Sequence, residues 1–194
     1  MFDTVLVAGL GLMGGSMAKT IKARTLSRVL GWNRTRATAE QALADGSIDA
    51  IATEALYKEA DLVIIGLYPQ ATVDWLLENM PKMKKGCVIV DMVGVKQFMV
   101  DHLEQAALDA GVHYVGGHPM AGREFSGLDF ALSTLFDGAS MIFVPTKSST
   151  ERVLEQLEAY FMSLGFGQTV RCTAQQHDHM IAFTSQLAHV ASNA

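Results

Sequence analysis

The chain has 194 residues, 49% of them hydrophobic and 18% charged, with a formal net charge of −5. That content excludes a disordered chain and suits one domain, or one domain plus part of a second. The acidic balance offers no electrostatic footprint for nucleic acid or an anionic membrane, and no apolar run approaches the ~20 residues that a membrane span needs.

The first predicted element is a short apolar strand at Val5–Ala8, followed by Gly9, Gly11 and Gly14 and a helix-forming stretch from Met13 to Ile21. Asp3 precedes this run where a targeting segment would carry basic residues, and the glycines are phased for a turn, so it reads as fold and not as a signal. In a Gly-x-Gly-x-x-Gly turn the first glycine makes the bend, the second lets backbone approach a pyrophosphate, and the third packs helix on strand. The helix start then presents N–H groups and partial positive charge to phosphates. With a second strand at Val29–Trp32 in the required place, the segment reads as a Rossmann nucleotide site, with Gly9, Gly11, Leu12, Met13 and Gly14 at the phosphates.

Asn33, 19 residues beyond Gly14, stands at the end of that second strand, where NAD-binding folds keep an acidic residue. Asn33 carries no charge and can donate a hydrogen bond, Arg34 can fork a phosphate, and Thr35 joins them as a cofactor-binding candidate. The strand end therefore favours NADP, with NAD as the alternative. Arg34 stacked on adenine, or simply solvated with Arg36, is the competing reading.

Strand and helix patterns alternate over the first 145 or so residues, the mark of an α/β doubly wound, mostly parallel sheet. A helix is predicted over Arg36–Ala44, a weak strand over Ala50–Thr53, and a buried strand over Asp61–Leu67 that Pro69 stops. Next come a helix at Thr72–Met80, a strand at Cys87–Met92, an amphipathic helix at Lys96–Asp109 and a short strand at His113–Val115. Beyond these lie a strand at Met141–Val144, a helix from about Thr150 to Leu164, a strand at Gln168–Arg171 and a long helix over Ala174–Ala194. That helix lacks a closing cap, so its apolar face (Ile181, Leu187, Ala188) is expected to meet further chain or a second subunit. Cys87 and Cys172 form no disulfide framework or metal-ligand spacing, which makes a reducing cytoplasm the default. A metal held by His177, His179 and His189 is disfavoured, because residues two apart on a helix point to different faces.

The chemistry is sought where strands end. His118 directly follows a short strand, between Gly116-Gly117 and Pro119-Met120-Ala121-Gly122. An imidazole there can take a proton from an alcohol as hydride leaves its carbon. Glu124, six residues on, can orient or charge-tune it, or be a solvated loop carboxylate.

Gly-Gly-His-Pro-Met-Ala-Gly with a Glu two residues on, behind an amino-terminal Gly-x-Gly-x-x-Gly, resembles the prephenate dehydrogenase family, which includes arogenate dehydrogenases. The stretch from His177-Asp178 to Ser185-Gln186-Leu187-Ala188-His189 resembles that family's second signature, His-Asp followed by Ser-His-Leu-Pro-His, and the likeness covers essentially the whole chain. It implies a Rossmann domain over 1–172 and the first helix of an all-helical dimerisation and substrate domain over 173–194. It also implies His118 as the catalytic histidine, Glu124 as the loop acid, and Ser185 and His189 in the substrate pocket. Helical spacing puts Ser185 and His189 on one face, with Asp178 on it seven residues before Ser185. Many members carry Gly-Ser-Val-Lys where this chain has Val93-Gly94-Val95-Lys96, so a serine contact to substrate and histidine is missing here. The family's substrate-binding arginine lies beyond residue 194. The implied reaction is NAD(P)-dependent oxidative decarboxylation of prephenate to 4-hydroxyphenylpyruvate, in tyrosine biosynthesis, by a homodimer joined through the helical region. Arogenate as substrate, a reductase of the β-hydroxyacid dehydrogenase or pyrroline carboxylate reductase type, and a non-catalytic nucleotide-binding module are the alternatives.

Overall fold

In a computed structural model of the chain, residues 2–192 are described, with side chains as far as Phe183. The elements of the first half are β1 (Thr4–Ala8), α1 (Leu12–Arg24), β2 (Arg28–Trp32), α2 (Arg36–Ala44), β3 (Ala50–Ile51), α3 (Glu54–Tyr57), β4 (Leu62–Ile65) and α4 (Pro69–Asn79). The second half holds β5 (Val88–Asp91), α5 (Gln97–Ala110), β6 (His113–Pro119), β7 (Ser140–Pro145), α6 (Glu151–Ser163), β8 (Gln168–Arg171) and α7 (Ala174–Ser192). The eight strands form one sheet in the order β3-β2-β1-β4-β5-β6-β7-β8. All neighbours are parallel except β6 and β7.

Alternation along the strands fills two cores. Val5 and Val7 of β1, Leu62 and Ile64 of β4, and Val88 and Val90 of β5 face α1, α2 and α6 through Met17, Ile21, Ala39, Leu157 and Phe161. Leu6, Ala8, Val63, Ile65 and Ile89 face α3, α4 and α5 through Tyr57, Trp75, Leu76, Met99 and Leu103. A parallel strand buried on both faces is largely apolar, which is why β4 and the Val88–Val90 stretch of β5 read as aliphatic runs.

Three differences from the sequence reading matter. β6 continues through Gly116, Gly117 and His118 to Pro119, because β7 pairs with it antiparallel and places His118 opposite Ile142. His118 is therefore held by a sheet ladder and not by a loop. α4 begins at Pro69, three residues earlier than expected, since proline at the first helical position loses no helical hydrogen bond. The four-residue α3 was not foreseen; it is too short to show a period.

Candidate active site

The order reverses between β1 and β4, and the crevice beyond their carboxyl ends is where such sheets take ligands. Gly9 turns the chain there with φ +91°, a conformation that side chains rarely adopt, and a Cβ on Gly14 would run into the Gly9 carbonyl oxygen. No side chain caps the start of α1 at Gly11, and a Cβ on Gly11 would meet nothing within 4 Å. An uncapped helix start behind open space is a phosphate cradle.

Two adjoining hollows run across this edge. One, of ≈ 440 Å³, is lined by Gly9 and Gly11, by Trp32, Asn33, Arg34 and Thr35, and by Trp75 and Glu78 on α4. The other, of ≈ 310 Å³, shares Gly11, Gly66, Leu67 and Tyr68 with it and extends to Leu12, Met13, Met92 and Phe125. Asn33 ties the glycine turn after β1 to the turn after β2. Its Oδ1 accepts from the Leu10 N–H at 3.0 Å and its Nδ2 donates to the Thr35 carbonyl at 3.1 Å. Arg34 is exposed and has no ion pair among the described residues, whereas Arg36 pairs with Glu40 at 2.8 Å.

His118 lies at the β6 end of the same edge. Its Nδ1 is 2.8 Å from Nε2 of the fully buried His177, whose Nδ1 is 2.7 Å from Oδ1 of Asp178. Asp178 also accepts from the backbone N–H groups of Lys96 (2.7 Å) and Gln97 (2.9 Å), so a carboxylate from α7 caps the start of α5. These bonds fix the tautomers. A carboxylate can only accept, so His177 donates from Nδ1 and, neutral, accepts at Nε2; His118 then donates from Nδ1 and keeps its lone pair on Nε2. That nitrogen faces room: a Cβ on Gly94 would meet only Nε2 and Cε1 of His118 within 4 Å, each at 3.8 Å. A serine there would stand against the imidazole, and Gly94 leaves the space open.

Burial, with the neighbouring His177 and Lys96, pushes the His118 pKa down to about 4, against the opposing pull of Asp91 and Asp178. Burial also works on Asp178 in the raising direction, but its hydrogen bonds to Gln97, His177 and Lys96 prevail and hold it below the usual carboxylate range. Beneath the imidazole is a second buried set, in which the Lys96 ammonium pairs with Asp91. Asp91 Oδ2 accepts from the Tyr114 hydroxyl at 2.7 Å and Oδ1 from the Val93 N–H at 2.8 Å. Lys96, Asp91 and Tyr114 are all fully buried.

The structure brings together only part of what the sequence nominated. Gly9, Gly11, Leu12, Met13, Asn33, Arg34 and Thr35 line the two adjoining hollows, whereas Gly14 lines neither and packs against the Gly9 carbonyl. Glu124 is exposed and has no hydrogen bond or ion pair to His118; the orienting partner is His177. Ser185 and His189 lie outside the described side chains, and Asp178 faces α5 and His177. His179 lines a separate hollow with Cys172 and Met180. His177 was missed as a working residue. Its signal was the adjacent His-Asp pair at the start of a helix, whose partner no local spacing names.

Comparison with known proteins gives one consistent picture. A family model described as "Prephenate dehydrogenase, nucleotide-binding domain" matches residues 17–168. The chain is similar to a prephenate dehydrogenase of Bacillus subtilis, 33% identical over 99% of this chain and 52% of that protein. It is also similar to a cyclohexadienyl dehydrogenase of Zymomonas mobilis, 30% identical over 97% of this chain and 64% of that one. Among solved structures, the arogenate dehydrogenase of Synechocystis superposes with a TM-score of 0.86 at 27% identity, over 95% of this chain and 64% of that chain. The chain thus spans between about half and two thirds of the length of these relatives.

Proposed function

This chain belongs to the prephenate dehydrogenase family and carries its nucleotide-binding domain, and from that premise we propose that it serves the NAD(P)-dependent oxidative decarboxylation of prephenate to 4-hydroxyphenylpyruvate. The observation that carries the proposal is the lone pair of His118 Nε2, turned to the open space at Gly94 beside the dinucleotide groove. Prephenate has a hydroxyl and a hydrogen on ring C4 and a carboxylate on C1. His118 Nε2 takes the hydroxyl proton as the C4–O bond gains carbonyl character. The nicotinamide, when bound, supplies the acceptor for the C4 hydride. The C1–carboxylate bond then breaks, carbon dioxide leaves, and its electron pair completes the aromatic ring. The protein's task is alignment and proton acceptance, since aromatisation makes the reaction downhill.

His177, itself held by Asp178, orients the His118 ring and fixes its tautomer, and the Asp178 carboxylate favours the positive charge that His118 gains. The uncapped start of α1 and the close contact of Gly14 on Gly9 suit a pyrophosphate, and the hollow around Asn33, Arg34 and Thr35 suits an adenosine. NADP is the preferred dinucleotide in this reading, because Arg34 is exposed, outside any ion pair among the described residues, and lines the hollow assigned to the adenosine, where it can fork a 2′-phosphate. Glu124 is kept as the loop acid that the family likeness implies, without a direct bond to His118. Residues 173–194 open the helical domain after a Rossmann unit of 1–172, place Ser185 and His189 on the substrate, and join two copies of the chain.

Steady-state rates with prephenate and with arogenate, each with NADP and NAD, test this reading. His118→Asn is expected to leave dinucleotide affinity near normal and lower turnover by ~10²–10⁴-fold. Near-full turnover in that variant would remove His118 from the chemistry. Turnover of arogenate alone would move the assignment to the amino-bearing substrate.

A further inference from the structure

Directly after Pro119 the chain leaves β6 and turns back over the start of α1. The 3-10 turn Leu128–Phe130 anchors this return: Leu128 is 4% exposed and reaches so close to α1 that a Cβ on Gly15 would lie 2.6 Å from its Cδ1. The return carries two phenyl rings to the surface. Phe125 and Phe130 are 50% and 42% exposed, yet they stack at 4.7 Å between centroids and 13° between planes, and the Arg123 guanidinium lies 5.1 Å from the Phe125 centroid. Apolar rings that stay half in water but are held by stacking and a cation are fixed in place, not loose.

Phe125, Ser126 and Gly127 form one side of the ≈ 310 Å³ hollow, facing Leu12 and Met13 of α1, Leu67 and Tyr68 after β4, and Met92 after β5. This lining is largely apolar and carries no acidic or basic side chain. Such a hollow accepts a flat ring with few polar demands. Resting on the dinucleotide reading above, the parts of the ligand then sort themselves along the groove. The pyrophosphate belongs at the α1 start and the adenosine at Trp32, Asn33 and Arg34, which leaves the nicotinamide for the hollow that ends two residues short of Gly94.

We propose that Phe125, braced by Phe130 and Arg123, is the wall against which the nicotinamide end of the dinucleotide packs, and so positions the hydride acceptor for this chain. The wall belongs to the loop that follows His118, so one short segment sets both the base and the ring it works beside.

The test uses binding, apart from turnover. The chain has two tryptophans, Trp32 and Trp75, both at the opposite, adenosine end of the groove, so energy transfer from them to NADH or NADPH reports binding without a change at the reporter. Phe125→Ala is expected to weaken both reduced dinucleotides about three- to tenfold, the scale of one aromatic contact. Calorimetry with ADP-ribose, which lacks the nicotinamide, is expected to give the same affinity for Phe125→Ala and the parent chain. Phe125→Tyr should restore NADH affinity, and Phe125→Leu should restore it only in part. Unchanged NADH affinity in Phe125→Ala, or equal weakening of ADP-ribose, would overturn the proposal. A parent chain that binds none of NADPH, NADH and ADP-ribose would instead defeat the dinucleotide reading on which it stands.

Discussion

A neutral imidazole can act as a base through one nitrogen only, and the bonds around His118 select Nε2 by way of His177 and Asp178. Its pKa, lowered to about 4, sets the pH behaviour. The free base is present above about pH 4, so the acid limb of kcat/KM is expected near pH 4 and not near the ordinary histidine value of 6.5. A pH–rate profile with an acid limb at 6.5 or above would contradict it. The same shift has a stability side. A folded pKa below the unfolded one means that the contribution is present in full above pH 6.5 and is lost as pH falls through 6.5 toward 4, where the unfolded chain binds the extra proton. At the groove's other end, Arg34→Ala is expected to weaken NADP much more than NAD, by ~1.5–3 kcal/mol for a lost charged hydrogen bond. Asn33→Asp should reverse the preference: the carboxylate still accepts from the Leu10 N–H, but it repels a 2′-phosphate. Equal loss of both cofactors in Arg34→Ala, measured by titration, would leave Arg34 stacking on adenine. His118 and Asn33 were legible because each lies at the carboxyl end of a strand, within β6 and just after β2, and strand ends are visible in sequence. His177 was not, because its meaning is a contact across 59 residues.

The site is built where α5 starts, and three elements meet there. β5 supplies Asp91, the turn after it supplies Gly94 and Lys96, and α7 supplies the carboxylate that caps α5. Lys96 bonds in two directions, with its backbone N–H on Asp178 and its ammonium on Asp91. Burial draws its pKa down while Asp91 draws it up. Removing one member of a buried ion pair leaves the other charge without compensation. Lys96→Met is therefore expected to cost about 3–5 kcal/mol in urea unfolding, and Lys96→Met with Asp91→Asn to recover much of it. A single variant within about 1 kcal/mol of the parent, the range of ordinary surface changes, would show that the pair contributes little. The sequence displayed the strand and the helix on either side of this turn, since both carry strong hydrophobic periods. The buried Lys-Asp-Tyr set gave no such signal: a lysine five residues after an aspartate looks like any solvated turn.

Across the whole molecule, the chain crosses its own sheet before it finishes the site. β1 to β5 build the dinucleotide edge, β6 brings His118, and α7, leaving from β8 at the far margin, returns to set His177 and Asp178 behind that histidine. This explains why alternation of strand and helix predicted the sheet, whereas the site needed a helix distant in sequence. The same path exposes a margin. β8 is an edge strand of four residues with Val170 41% exposed, and α7 starts beside it and carries Phe183 at 65%. An edge with apolar side chains beside an apolar helix face favours a covering partner. In the assembly proposed above, that partner is a second copy, joined isologously through α7. Light scattering at micromolar concentration is therefore expected to give twice the chain mass, insensitive to salt because the contact is apolar. Phe183→Lys should shift the population toward the single chain and leave NADH binding unchanged, since Phe183 does not line either hollow of the groove. A well-behaved monomer for the parent chain, or a dimer indifferent to Phe183→Lys, would place the assembly surface elsewhere.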